Sequence, residues 1–223
     1  MALTLYYFPT PNGRKVSIAL EEMGLDYRLQ VLNIFEREAQ SPEYLAICPN
    51  GRIPAIVDEQ PGAEPVMVFE SGAILQYLGR KSGAFYPVES AARQAAVDSW
   101  VFWQMAGLGP MAGQITWFRR AAEKPGRDPQ ETSLTIYRFT KEVKRLYAVL
   151  ENQLAGRDYI CDDYSIADMA CWTWVDQYGH YVDGLQHYPN IRAWHQRIAE
   201  RPAVRRAMAL GLEEVQGMTV SFN

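Results

Sequence analysis

Cysteine and histidine are scarce in this chain, and their scarcity narrows the chemistry open to it. Among 223 residues there are three cysteines and three histidines. The cysteines are Cys48, Cys161 and Cys171. They form no C-x-x-C pair, and an odd number cannot close a framework of disulfides. The histidines lie seven and eight residues apart with no cysteine at ligand spacing, so we expect no metal cofactor.

A basic surface, a secretion signal and a long apolar run are lacking as well. Lys and Arg number 22 against 26 Asp and Glu, which gives a formal net charge of −4. Nucleic acid and anionic membranes are therefore not expected partners. No segment approaches the roughly 18 consecutive apolar residues of a membrane span, and the first residues lack the basic-then-apolar order of a secretion signal. We expect a soluble protein of the cytoplasm.

The first 80 residues alternate between strand and helix patterns. The run LTLYYF predicts a buried strand, and a break at 9–13 leads into a helix that Gly24 ends. A second strand, a short helix opened by Ser41, two strands joined by a polar turn, and a helix starting at Ser71 follow. The predicted order is β-α-β-α-β-β-α, in an α/β domain over residues 1–82.

Helical patterns dominate from about residue 90. Long stretches rich in Ala, Leu, Arg and Trp occupy 91–106, 131–154, 165–179, 189–200 and 203–210. We therefore predict an all-α domain over residues 89–210, followed by a tail, 211–223. Ser165 and Asp168 have the spacing of a capping box, which indicates the start of a buried helix.

Thr10 and Asn12 lie where the first strand turns into the first helix. Unpaired N–H groups and a partial positive charge at a helix N-terminus stabilise anions and lower the pKa of a thiol. Thr10 is a poor nucleophile, but its hydroxyl and the Asn12 amide can donate hydrogen bonds to a thiolate that a ligand brings. The alternative is that both residues only shape the turn.

Two further junctions have features of a peptide-binding site. Ile53-Pro54 opens a strand, and a cis proline there would leave the preceding backbone able to pair with an extended ligand. Ser71 can bind a carboxylate at its helix start, unless it serves only as an N-cap, and Glu70 beside it can bind an ammonium. With Arg52 as partner for a distant carboxylate, this set fits glutathione.

Several motifs are those of a known family. They are Arg52-Ile53-Pro54-Ala55-Ile56, Glu70-Ser71-x-Ala73-Ile74 and Ser165-Ile166-Ala167-Asp168. With them the chain, through about residue 210, resembles the cytosolic glutathione transferase superfamily. Two more segments, Pro-Thr-Pro-Asn-Gly at 9–13 and the stretch 102–114, make it most similar to the nu class, the glutathione-dependent disulfide-bond reductases. The resemblance implies a thioredoxin-like N-terminal domain, a helical C-terminal domain and a homodimer.

The resemblance also implies how glutathione is held, with no protein cysteine taking part in the reaction. Thr10 and Asn12 match the family positions near the glutathione sulfur. Ile53, in the motif with Pro54, supplies backbone pairing. The matches for the two ends of the peptide are Glu70 and Ser71 at the γ-glutamyl end and Arg52, where the family often has lysine.

Three side chains keep two interpretations each. Arg138 looks like an arginine that reaches the ligand from the helical domain, and a solvated helix arginine is its alternative. Tyr7 lies near the place where other classes carry an activating tyrosine, but we interpret it as a core residue. Cys48 is interpreted as a small buried side chain rather than a redox thiol.

Three functions remain open at this stage. The first is reduction of a small disulfide by glutathione. The second is a transferase or peroxidase that directs the same thiolate to an electrophile or a hydroperoxide. The third is a binding or regulatory module without activity. The aromatic residues Trp117, Phe118 and Trp174 are either core residues or the lining of a pocket for the second substrate.

Overall fold

The structure, a computed structural model, describes residues 3–123, 129–216 and 218. Contacts divide the chain into two units. The first joins the residues up to Glu89 with those from Glu200 onward, and the second is Ser90–Ala199. None of the helices within the described ranges is both long and apolar enough to cross a membrane.

A four-stranded mixed sheet forms the centre of the first unit. Its strands are β1 Leu3–Tyr7, β2 Tyr27–Val31, β3 Ala55–Asp58 and β4 Val66–Phe69. The spatial order is β2-β1-β3-β4, with β1 and β2 parallel and the other two pairs antiparallel. Leu3, Leu5 and Tyr7 are buried while the residues between them are partly exposed, because successive side chains of a strand point to opposite faces.

Ten helices lie in the described ranges. They are α1 Pro11–Met23, α2 Pro42–Leu45, α3 Ser71–Ser82, α4 Ala91–Trp103, α5 Gly109–Ala122, α6 Pro129–Gln153, α7 Ile166–Val175, α8 Pro189–Ala199, α9 Pro202–Ala209 and α10 Leu212–Gln216. The order β-α-β-α-β-β-α predicted for the first 80 residues is confirmed, as is the helical character of the second unit.

The C-terminal helix α9 packs on α1 and so belongs to the first unit. Arg201 holds Glu22 of α1 through two bonds, Nε–Oε1 at 2.5 Å and Nη2–Oε2 at 2.8 Å. The sequence pattern places 203–210 in the helical domain instead, because an amphipathic helix does not reveal which partner covers its apolar face. The tail predicted at 211–223 contains α10, and its residues 217 and 219–223 lie outside the described ones.

The helix α5 is missing from the sequence-based prediction. A π-helical turn, Gln104–Leu108, joins α4 to α5 without a break. Gly109, Pro110 and Gly113 disfavour a helix by propensity. The two glycines are required by packing, since a Cβ at Gly109 would lie 3.3 Å from the Trp174 ring and one at Gly113 would lie 3.4 Å from it.

The capping box at the start of α7 is confirmed. Asp168 is fully buried, and its Oδ2 accepts from the Ser165 N–H at 3.0 Å. Its Oδ1 accepts from the Ile160 N–H at 2.9 Å and from the Trp194 indole at 2.8 Å. Burial raises the pKa of Asp168 to about 6 although these bonds favour the carboxylate. The side chain ties α7 to α8 and to the chain before it.

Candidate active site

The loop between β1 and α1 presents the first group of predicted site residues. Thr10 lies at the N-cap of α1, and its Oγ1 accepts from the Gly13 N–H at 3.3 Å. That bond uses the hydroxyl as an acceptor, so its hydrogen can be donated to an anion in front of the helix. Asn12 is the second residue of α1, and both side chains are partly exposed. The 13-residue helix directs its N-terminal dipole to the same place.

Gly13 keeps this loop close to the sheet. A Cβ at this position would lie 2.2 Å from the Phe8 carbonyl oxygen and 3.1 Å from the Tyr7 ring. No side chain fits there, which explains glycine after Pro-Asn. The tight approach fixes where Thr10 and the start of α1 stand relative to β1.

Tyr7 is a core residue, as interpreted from the sequence. Its side chain is fully buried, and its hydroxyl donates to the Leu210 carbonyl at 3.4 Å. Burial raises the pKa of Tyr7, although Arg14 and Ser17 oppose the effect. A tyrosine that activates a thiol needs a hydroxyl directed to the ligand, and here the hydroxyl points to the chain's own C-terminal segment.

The loop before β3 carries the second group. The Ile53-Pro54 bond is cis, as the sequence suggests. Three side chains hold the loop through its carbonyls: the Tyr44 hydroxyl and the Cys48 thiol donate to Arg52 at 2.7 and 3.3 Å, and the Gln40 amide donates to Gly51 at 2.8 Å. The Arg52 side chain itself is exposed. Cys48 is buried, so its observed contact is structural, and the role of its thiol in redox chemistry stays a separate question.

The junction of β4 and α3 carries the third group. Glu70 occupies the N-cap position with φ 70° and ψ 116°, a conformation that is strained for any residue other than glycine. Its carboxylate is exposed, with the Asn50 amide 3.5 Å from Oε1. The interpretation of Ser71 as the N-cap is wrong by one position. Ser71 is the first helical residue, and its Oγ accepts from the Lys15 Nζ at 3.3 Å instead of capping the backbone.

These contacts bring the predicted residues together in part. Lys15 joins α1, behind Thr10 and Asn12, to Ser71 at the start of α3. The Asn50 contact with Glu70 joins the loop before Arg52 to that same junction. Arg138, by contrast, is an exposed residue of α6 in the second unit. Its part in ligand binding therefore stays a prediction from the resemblance.

Sequence reasoning missed Lys15 and Asn50. Lys15 had a readable signal: it stands three and four residues before Ile18 and Ala19, which places it on the apolar face of α1. A lysine at such a position is either paired or functional. Asn50 had no signal, because its partner Glu70 is 20 residues away in the chain.

The described cysteines do not resemble reactive thiols. Cys171 is fully buried, and burial raises the pKa of Cys161 to about 11, whereas reactive thiols have lowered pKa values. Over residues 3–123 and 129–216, no three His, Cys, Asp or Glu side chains are grouped so that they could hold a metal ion.

Comparisons with known proteins decide the family. The model of the glutathione S-transferase N-terminal domain matches residues 1–80, and that of the C-terminal domain matches residues 135–202. The disulfide-bond oxidoreductase YfcG of Escherichia coli is 44% identical over 209 residues, which cover 92% of this chain and 94% of YfcG. The chain belongs to the glutathione S-transferase family. It is an enzyme of that family, and the resemblance inferred from the motifs is confirmed.

Solved structures of glutathione transferases share this fold. One from Pseudomonas putida, with one glutathione disulfide bound per subunit, has a TM-score of 0.84 and 37% identity, covering 94% of this chain and 92% of that one. One from Burkholderia graminis, with two glutathione molecules bound per subunit, has a TM-score of 0.85 and 40% identity, covering 95% and 89%. The thioredoxin-like domain followed by a helical domain is thereby confirmed for this family member.

Proposed function

We propose that this enzyme reduces small disulfides with glutathione and uses no cysteine of its own. The observation that carries the proposal is Thr10 at the N-cap of α1. Its hydroxyl can donate to a ligand thiolate, at the positive end of a long helix. The glutathione bound in the P. putida and B. graminis structures supports the choice of ligand, and the name of YfcG supports the choice of reaction.

The reaction is two thiol–disulfide exchanges. The thiolate of one glutathione attacks a sulfur of the substrate disulfide, forms a mixed disulfide, and releases the other half as a thiolate that takes up a proton. A second glutathione thiolate then attacks the glutathione sulfur of the mixed disulfide. Glutathione disulfide and the second substrate thiol are the products. Thr10, Asn12 and the α1 dipole act by favouring the glutathione thiolate over the thiol.

The remaining site residues hold the peptide in this proposal. Ile53, before Pro54, pairs with the glutathione backbone. Glu70 binds the ammonium of the γ-glutamyl group, and Ser71 with the N-terminus of α3 binds its carboxylate. Arg52, which is exposed, binds the distant glycine carboxylate, while Arg138 adds a contact from the helical unit.

The test is glutathione-dependent reduction of 2-hydroxyethyl disulfide. We expect Thr10→Val, which has the same shape without the hydroxyl, to lose about 10- to 100-fold in rate, and Thr10→Ser to retain most of it. Thr4→Ala, on β1 away from the loop, is the control. A variant with all three cysteines changed to serine should keep its activity. Loss of all activity in Cys48→Ser alone would contradict the proposal.

A conjugating transferase is the second candidate, since both matching family models are those of glutathione S-transferases. It would use the same thiolate on an electrophile. Turnover of an aryl halide without turnover of the disulfide would favour it. The third possibility, a module without activity, is set aside because the chain belongs to an enzyme family.

We also propose a homodimer in the cytoplasm. Large apolar side chains are exposed on both units, among them Met67 of β4 at 50% and Phe102 of α4 at 62%. Exposed residues of this kind mark association surfaces when they lie on one patch. Light scattering at micromolar concentration should give twice the mass of the chain, 25.4 kDa, and Phe102→Asp should give the monomer. A monomeric wild type would contradict the dimer.

A further inference from the structure

Lys15 is the most completely buried charged side chain among the described residues of the first unit that lie next to the proposed site. Only 1% of its surface is exposed. Its Nζ lies 3.3 Å from the Ser71 Oγ, in a buried bond that joins α1 to the first residue of α3. Burying an ammonium is costly unless its hydrogens meet acceptors. A methylene chain of the same length would pack there at lower cost, so the charge calls for a reason.

The place of the charge points to an anion. The N-terminus of α3, a 12-residue helix, already carries a partial positive charge. A lysine beside it adds charge of the same sign, which is unfavourable for the helix and favourable for a carboxylate bound in front of it. Glu70, the nearest acidic residue in the chain, has an exposed carboxylate that contacts Asn50.

The bond also sets the direction of the Ser71 hydroxyl. An ammonium has only hydrogens to donate, so Ser71 must be the acceptor in this bond. Its own hydroxyl hydrogen is then directed away from Lys15. A donor held in that way is oriented before the ligand arrives, which lowers the entropy lost on binding.

We infer that Lys15 is a positioning residue for the carboxylate that binds at the start of α3. It acts through the Ser71 hydroxyl and through its charge, without touching the ligand. The inference rests on the proposed function, in which that carboxylate belongs to the γ-glutamyl group of glutathione. Lys15 thereby becomes a determinant of affinity for γ-glutamyl peptides and leaves the sulfur chemistry at Thr10 unchanged.

Calorimetric titration with two ligands tests the inference. The first is glutathione, and the second is 4-aminobutanoyl-cysteinylglycine, which lacks only the γ-glutamyl carboxylate. For Lys15→Met we expect the Kd of glutathione to rise about 10-fold, with the Kd of the analogue unchanged within about twofold. Lys15→Gln keeps a donor for Ser71 but no charge, so it should fall between wild type and Lys15→Met. In the disulfide assay, KM for glutathione should rise while kcat holds.

The outcomes separate this inference from the proposed function. If wild type binds no glutathione, the proposed function fails and takes the inference with it. If wild type binds glutathione and a folded Lys15 variant binds it equally well, or loses both ligands to the same degree, Lys15 is only structural and the proposed function stands. Circular dichroism establishes folding, and Lys15→Gln provides the same comparison if Lys15→Met does not fold.

Discussion

Replacing Tyr7 by phenylalanine distinguishes this enzyme from relatives that activate glutathione with a tyrosine. The change removes one hydroxyl and nothing else. In the structure that hydroxyl makes a long bond of 3.4 Å to the Leu210 carbonyl inside the first unit. A buried hydrogen bond contributes about 0.5–1.5 kcal/mol, and about 1 kcal/mol shifts Tm by roughly 2–4 °C in a chain of this size. We expect Tm to fall by a few degrees.

The activity of Tyr7→Phe should remain within about twofold of wild type, since an interaction that does not touch the reacting atoms adds nothing to the transition state. Burial raises the pKa of Tyr7, so no ionisation of this phenol contributes to the pH profile between pH 6 and 9. The assay is disulfide reduction at saturating glutathione, beside thermal unfolding. If the turnover rate fell by about tenfold or more while Tm stayed unchanged, the reasoning would be refuted and Tyr7 would be catalytic.

Two further predictions concern stability. Glu22→Gln breaks the bidentate pair with Arg201, in which the Glu22 side chain is 6% exposed and the Arg201 side chain 28%, so we expect a loss of about 1–3 kcal/mol in chemical unfolding; the control Glu21→Gln, on a more exposed pair, should lose less than about 1 kcal/mol, and equal losses would contradict the assignment. Burial alone would raise the pKa of Asp58, but bonds from Lys81 and its neighbours hold the pKa below its usual value. A lowered carboxyl pKa contributes stability above pH 4 that disappears as the pH falls through the folded-state value, so Lys81→Met should lower Tm by several degrees at pH 7 and by little at pH 3; the reverse order would refute the pairing.

Local chemistry made much of this fold predictable. The order of strands and helices in the first 80 residues follows from short apolar runs separated by proline and glycine. The capping box at Ser165 and Asp168 and the break at Pro9-Thr10-Pro11 are set by residues close together in the chain. Each of these features depends on interactions over a few residues, which a sequence displays directly.

Features that depend on distant partners were not predictable. The helix α5 forms although Gly109 and Gly113 weaken it, because both make room for Trp174 of another helix. Nothing in the apolar pattern of α9 reveals that Glu22 of α1 binds Arg201. Ser71 likewise has the sequence of an N-cap, and the positive φ of Glu70 moves the cap by one residue.

The ionisation of bound glutathione tests the central claim most directly. Thiolate absorbance near 240 nm, titrated against pH with saturating glutathione, reports the pKa of the bound thiol. We predict a fall from the ordinary value of about 8.5 to about 7 or below in the wild type. Most of that fall should be recovered in Thr10→Val and none of it in Thr10→Ser. A bound thiol that titrates as free glutathione does, or equally in all three proteins, would contradict the role assigned to Thr10 and the N-terminus of α1.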